Sequence, residues 1–130
     1  MDKKKEFTYR GMTIDELKKL EVREFAKYAT SREKRSILRN FQKIEDFLNR
    51  AKIKVEKGKK LRTHQREIII VPGMVGMQIS VYSGNNFIPV LITGEMLGHR
   101  LGEFAPTRAK IKHGSAGVGA TKGSKHKSKK

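Results

Sequence analysis

Charge is so unevenly distributed along this chain that only one stretch of it can supply most of a core. Residues 67–106 hold a single basic side chain, Arg100, against Glu67, Glu95 and Glu103, and 20 of these 40 residues are apolar. On one side, residues 31–66 hold 13 basic and 4 acidic side chains, net +9. On the other, residues 107–130 hold 8 basic and no acidic ones. Residues 1–30 are nearly balanced, 8 against 6. A core drawn from 40 residues is marginal by itself, so the preceding segments are expected to complete it. In residues 107–130 only 5 of 24 positions are apolar and four are Gly, which cannot offset the entropy of ordering the backbone. One domain in four stretches is expected: an N-terminal helical extension at 1–30, a basic helical segment and arm at 31–66, an apolar sheet core at 67–106, and a flexible basic tail at 107–130.

The whole chain of 130 residues carries a formal charge of +17 and repels itself unless something anionic is bound. It contains no Cys, which removes disulfides, thiolate metal sites and thiol catalysis. The longest aliphatic run, Ile68 to Val71, is far too short to span a bilayer. The basic start, Met1 to Lys5, is followed by no apolar segment and does not read as a secretory leader. The basic tail lacks large apolar anchors, so no membrane partner is expected. A soluble intracellular binder of a polyanion remains.

Local patterns fix several elements. Thr13-Ile14-Asp15-Glu16 has the form of a capping box, with a short helix through Leu17 and Leu20 to follow. Val22, Phe25, Ala26 and Ala29 continue a helical period, and Thr30-Ser31 marks a break and a new cap. Ile37, Phe41, Ile44, Leu48 and Ala51 then recur at steps of three and four, one face of a helix to about Ile53. Arg32, Arg35, Arg39, Lys43 and Arg50 fall on roughly the opposite face. Such a stripe is ordinarily a solvated surface; the regional excess of +9 favours a surface facing phosphates. Asn40 is a candidate break that would divide the stripe.

Lys57-Gly58 ends the helical pattern. Glu67 to Val71 reads as a buried strand stopped by Pro72-Gly73. Met77, Ile79 and Val81 alternate with polar residues, Ser83 to Asn86 supplies turn chemistry, and Phe87 to Ile92 returns as a strand. Pro89 has no N–H to donate and puts that strand at an edge. Glu95 to His99 allows one helical turn. The expected fold is α+β: a small, mainly antiparallel three-stranded sheet with N-terminal helices and an extended basic C-terminal tail.

Catalytic constellations are absent. The glycines from Gly114 to Gly123 fit neither a phosphate-binding loop nor a dinucleotide fingerprint in any register. His64, His99, His113 and His126 lack ligand spacing, so neither a metal nor any other cofactor is expected. Glu67, Glu95 and Glu103 read as caps, solvent-facing groups or partners of Arg100, and Met74, Met77 and Met96 as core fillers. Zinc-finger, helix-turn-helix, RNP and basic-zipper patterns are missing too. Two basic segments around a small fold, with a long extended tail, suit the irregular surface of a folded RNA. Lys59, Lys60, Arg62 and Arg66 stand just before the first expected strand, where a short rigid element would aim them.

The residues also resemble a known family. Lys59-Lys60-Leu61-Arg62-Thr63, Ile68 to Pro72 with Met74, and Ser83-Gly84-Asn85 with Phe87, Pro89 and Val90 all fit it. Most specific are Glu95-Met96-Leu97-Gly98-His99 and Leu101-Gly102-Glu103-Phe104-Ala105-Pro106-Thr107-Arg108. Together they resemble the universal small-subunit ribosomal protein S-nineteen. Residues 7–40 and the run from His113 to Thr121 resemble the long archaeal and eukaryotic form. Asn40 stands where related chains often carry Gly, and because Asn tolerates the same left-handed geometry, it points to a helix break there.

The resemblance implies a structural, non-enzymatic protein of the cytoplasmic ribosome, in the head of the small subunit on the 3′ major domain of its rRNA. It implies small-subunit ribosomal protein S-thirteen as a neighbour and a tail reaching toward tRNA near the decoding site. The rRNA contacts it suggests are Lys59, Lys60, Arg62, Thr63, Arg66, His99, Arg108, Lys110, Lys112 and His113, with Lys122, Lys125 and Lys127 near tRNA. A free-standing RNA chaperone or nucleic-acid packaging protein is the alternative reading of the same charge.

Overall fold

A computed structural model describes residues 5–112 together with Gly114 and Gly117. The chain opens with a miniature hairpin, β1 (Thr8–Tyr9) against β2 (Met12–Thr13), which the sequence reading missed. Arg10 and Gly11 join them with φ of 52° and 80°, the double positive φ of a tight two-residue hairpin turn. Thr13 then caps α1 (Ile14–Lys18) as expected. Its Oγ1 accepts from the Glu16 N–H at 3.4 Å, and Glu16 Oε2 accepts from the Thr13 N–H at 2.9 Å. α2 (Val22–Phe25) buries Val22 and Phe25, but helical order stops there and turns lead to Thr30.

The long basic segment forms two helices, α3 (Ser31–Arg39) and α4 (Phe41–Glu56), divided at Asn40. Asn40 donates its N–H to the Ser36 carbonyl while its own carbonyl accepts from Ile44, ending one helix and starting the next. The break falls at Asn40 as expected, with a φ of −106° and ψ of 19° that are not left-handed. Ile37, Ile44, Leu48 and Ala51 are buried as the periodicity requires, and Phe47 joins them. Beyond the Lys57 cap of α4 stands Gly58, φ 63°, where Gly58 N–H donates to Val55 and Lys59 N–H to Lys54 at 3.0 and 2.9 Å. This paired closure needs a left-handed residue after the cap, which glycine supplies without strain.

A three-stranded sheet follows, in the order β3 (Leu61–Thr63), β4 (Gln78–Tyr82), β5 (Phe87–Leu91). β4 and β5 are antiparallel, joined by a turn in which Ser83 N–H and Oγ both bond the Asn86 carbonyl, at 2.8 and 2.9 Å. Pro89 lies on an edge strand, as its missing donor requires. β3, however, runs parallel to β4, with Leu61 beside Ile79, Arg62 beside Ser80 and Thr63 beside Val81. The sheet is therefore mixed rather than mainly antiparallel, and its first strand is not Glu67 to Val71.

That apolar run is extended and buried, but outside the sheet. Ile68 accepts from Leu101 N–H, and Ile70 exchanges bonds with His99 and Gly98. The pairing shrinks to one bridge, Ile69 with Arg100. Two 3₁₀ turns, Gly94–Met96 and Leu101–Phe104, interrupt the partner segment, and a third, Pro72–Met74, ends the run. Ile68, Ile69, Ile70 and Val71 are each at most 3% exposed, so they serve as the centre of the core instead of one face of a sheet. One cluster of buried side chains unites Leu17 and Phe25, the helices' inner faces, this run, Ile79, Ile92 and Leu101. The architecture is α+β.

Candidate nucleic-acid interface

The basic residues that the sequence places before the core converge on β3. Lys59 and Lys60 leave the α4 cap exposed, and Arg62 points outward between buried Leu61 and Thr63, the period-2 alternation of a strand. The parallel register aligns Arg62 with Ser80, and the antiparallel one aligns Ser80 with Pro89, forming a row across the outer face of the sheet. A groove of about 600 Å³ runs along this face, lined by Lys59, Lys60, Arg62, Gln78, Ser80 and Phe87 among others. None of the residues of β3, β4 or β5 is acidic. The face is cationic along one edge and neutral elsewhere, a combination that draws phosphate to the edge.

A second groove, of about 320 Å³, lies on the other side of β3 against α4 and includes Arg50, Lys54, Arg62 and His64. The helical stripe contributes to it only in part. Arg32, Arg35 and Arg39 belong to α3, Lys43 and Arg50 to α4, and all five are exposed. Arg35 and Arg39 line a separate shallow depression with Lys34 and Leu38. Arg50 also donates Nε–H to the Asp46 carbonyl at 3.2 Å, which steadies its stem on the helix.

Some of the other expected contacts also make hydrogen bonds within the protein. Arg66 donates to three carbonyls: Nη1–H to Tyr82 at 2.6 Å, and Nη2–H to Gly102 and Ala105 at 2.7 Å each. A Cβ at Gly102 would lie 2.9 Å from the Arg66 Cβ, so the close approach requires glycine. Arg66 thus ties β4 to the last 3₁₀ turn rather than projecting toward a partner. Thr63 is 7% exposed, and its Oγ1 accepts from Gln65 N–H. His99 Nδ1 is hydrogen-bonded to Glu103 Oε2 at 2.7 Å, with both side chains about half exposed. Glu103 therefore pairs with His99 and not with Arg100, whose Nη2–H donates to Ser36 Oγ at 3.1 Å and links this region to α3. Arg108, Lys110 and Lys112 are exposed in irregular chain beyond the core. His113, Lys122, Lys125 and Lys127 lie outside the described residues.

Three rings beside Arg62 were not singled out from the sequence. His64 sits 4.5 Å from Tyr82 and 5.1 Å from Phe87, centroid to centroid, and Tyr82 and Phe87 are 5.2 Å apart. The Arg62 guanidinium carbon is 5.4 Å from the Phe87 centroid. Tyr82 and Phe87 flank the Ser83 to Asn86 turn, so hairpin register alone could have paired them. His64 arrives through the parallel strand, for which no local pattern exists.

Among the described residues no group of His, Asp and Glu is placed to hold a metal ion, and no helix is long and apolar enough to cross a membrane. Residues 23–113 match the family model described as Ribosomal protein S19. The chain is also 46% identical over 125 residues to the Small ribosomal subunit protein uS19 of Methanocella arvoryzae, covering 95% of this chain and 87% of that one. With most of its length matched, including the edge strand, the inner run and the 3₁₀ turns, the chain belongs to the ribosomal protein S19 family.

Proposed function

We propose that this chain is a structural component of the small-subunit head that docks on the 3′ major domain of the small-subunit rRNA. Family membership already makes it a non-catalytic, RNA-binding protein of the ribosome. The finer reading rests on one observation above all: Lys59, Lys60 and Arg62 lie along an edge strand, beside a groove on a sheet face free of acidic side chains. In this reading 31–66 and 107–130 carry the docking charge, while 67–106, with helices from the earlier segments, carries the core. Arg108, Lys110, Lys112 and His113 continue the RNA contact. Lys122, Lys125 and Lys127 reach toward tRNA near the decoding region, and small-subunit ribosomal protein S-thirteen is the protein neighbour.

Sedimentation of a cell lysate tests the proposal. Co-migration with small subunits through a high-salt wash is expected, with crosslinks to 3′ major-domain rRNA and to S-thirteen. Release into the soluble pool under that wash would instead support a free RNA chaperone or packaging protein using the same charge.

A further inference from the structure

Only one face of the three-stranded sheet packs on the core. On its outer face Arg62, Gln78, Pro89 and Leu91 are exposed, and Leu91 retains 59% of its accessible surface. At one end of this face stand the rings of His64, Tyr82 and Phe87, one from beside each strand, with Tyr82 and Phe87 half-buried and His64 exposed. The interplanar angles are 45° for His64 with Tyr82, 55° for Tyr82 with Phe87 and 81° for His64 with Phe87. None of the three pairs is a parallel stack: His64 and Phe87 meet edge to face, and the other two pairs are tilted. A cross-strand aromatic pair alone would stabilise the hairpin, but it does not account for a third ring from β3's end or for a guanidinium beside them.

We propose that His64, Tyr82 and Phe87 form a stacking platform for one unpaired base of the bound RNA, with Arg62, Lys59 and Lys60 taking the adjoining phosphates. Charge complementarity selects this occupant. Phe87, Arg62, Lys59 and Lys60 line the same groove, and the strands present no carboxylate to repel a nucleotide. Aromatic faces beside a cationic track are how single-stranded RNA is held, the rings taking bases and the cations taking phosphates. The platform rests on the RNA-binding reading above and gives it a site.

The test uses the full chain and a single-stranded RNA of about twelve nucleotides, uridine throughout except for one central 2-aminopurine. Stacking quenches the fluorescence of that base. Wild type should bind and quench. A His64→Leu/Phe87→Leu variant should bind about tenfold more weakly and lose the quench, with its salt dependence unchanged, because stacking releases no counterions. Tyr82→Phe should quench as wild type does, since it keeps the ring and loses only the hydroxyl's 2.6 Å bond to the Gly84 carbonyl. Lys59→Gln/Lys60→Gln should do the reverse of the leucine variant, flattening the salt dependence while keeping the quench at saturation. Thermal unfolding verifies each fold; should the double variant fail to fold, Phe87→Leu alone is read. No binding, binding without a quench, or a quench untouched by loss of the rings overturns the platform. Incorporation into small subunits is scored separately. A chain that incorporates but does not quench loses only the platform, whereas one that quenches but does not incorporate keeps the platform and loses the ribosomal placement.

Discussion

Arg66 and Arg62 are four positions apart and do different work. Arg62 sits on the open face of β3, whereas Arg66 spends its guanidinium on the carbonyls of Tyr82, Gly102 and Ala105. Removing a charged donor from part-buried acceptors costs more than the bond itself, because the acceptors are left without partners. Arg66→Met is therefore expected to lower unfolding stability by about 3 kcal/mol, and Arg66→Lys by less, since a single ammonium cannot reproduce the fork. Arg62→Met should leave the urea midpoint nearly unchanged and weaken RNA binding instead. Equal midpoints for the two methionine variants would show that the Arg66 clamp contributes nothing.

At the scale of the element, the end of α4 and the start of β3 act together. The closure at Gly58 sets the direction in which Lys59 and Lys60 leave the helix. Gly58→Ala forces a side chain into left-handed geometry and should cost about 1 kcal/mol, read as a lower thermal midpoint. Charge placed by this rigid junction should count for more than equal charge at the N-terminus. Lys59→Glu/Lys60→Glu/Arg62→Glu should nearly abolish incorporation into small subunits, while Lys3→Glu/Lys4→Glu/Lys5→Glu should reduce it modestly. Equal loss from the two triple variants, measured by quantitative immunoblot of sucrose-gradient fractions, would mean that net charge alone decides.

For the whole molecule, a formal charge of +17 makes RNA affinity a function of salt. Neutralising about six phosphates predicts a loss on the order of a thousandfold between low and physiological ionic strength, and a flat titration would remove electrostatics as the main term. The buried cluster closes at Ala105, and the described chain beyond it is exposed. A chain ending at His113 is thus expected to unfold close to the full-length midpoint and to enter subunits, with any deficit appearing as reduced tRNA stability or accuracy in translation assays. Ile69→Asp should fail at the first step. Ile69 is 1% exposed at the centre of the core, and an unpaired carboxylate there exceeds what a small domain can absorb.

The features that the sequence determined by itself are those whose causes lie within a few residues. Thr13 and Glu16 make a capping box because the groups that satisfy each other are three positions apart. Gly58 and the Ser83 to Asn86 turn stop or reverse the chain by their own backbone preferences. The helical faces are equally local, since a period of three to four sorts residues before any partner is chosen. The tertiary structure decided what depends on who meets whom. Ile68 to Val71 has the composition of a strand, yet its neighbours across the gap are broken by 3₁₀ turns, so it became core without joining the sheet. Leu61 to Thr63, too short to show a pattern, became a strand because β4 was there to pair with it in parallel. Arg66 became a clamp only when Gly102, 36 positions away, came close enough to accept. Pairing across such distances is selected by the packing of the whole core, and no local preference of the residues involved encodes it.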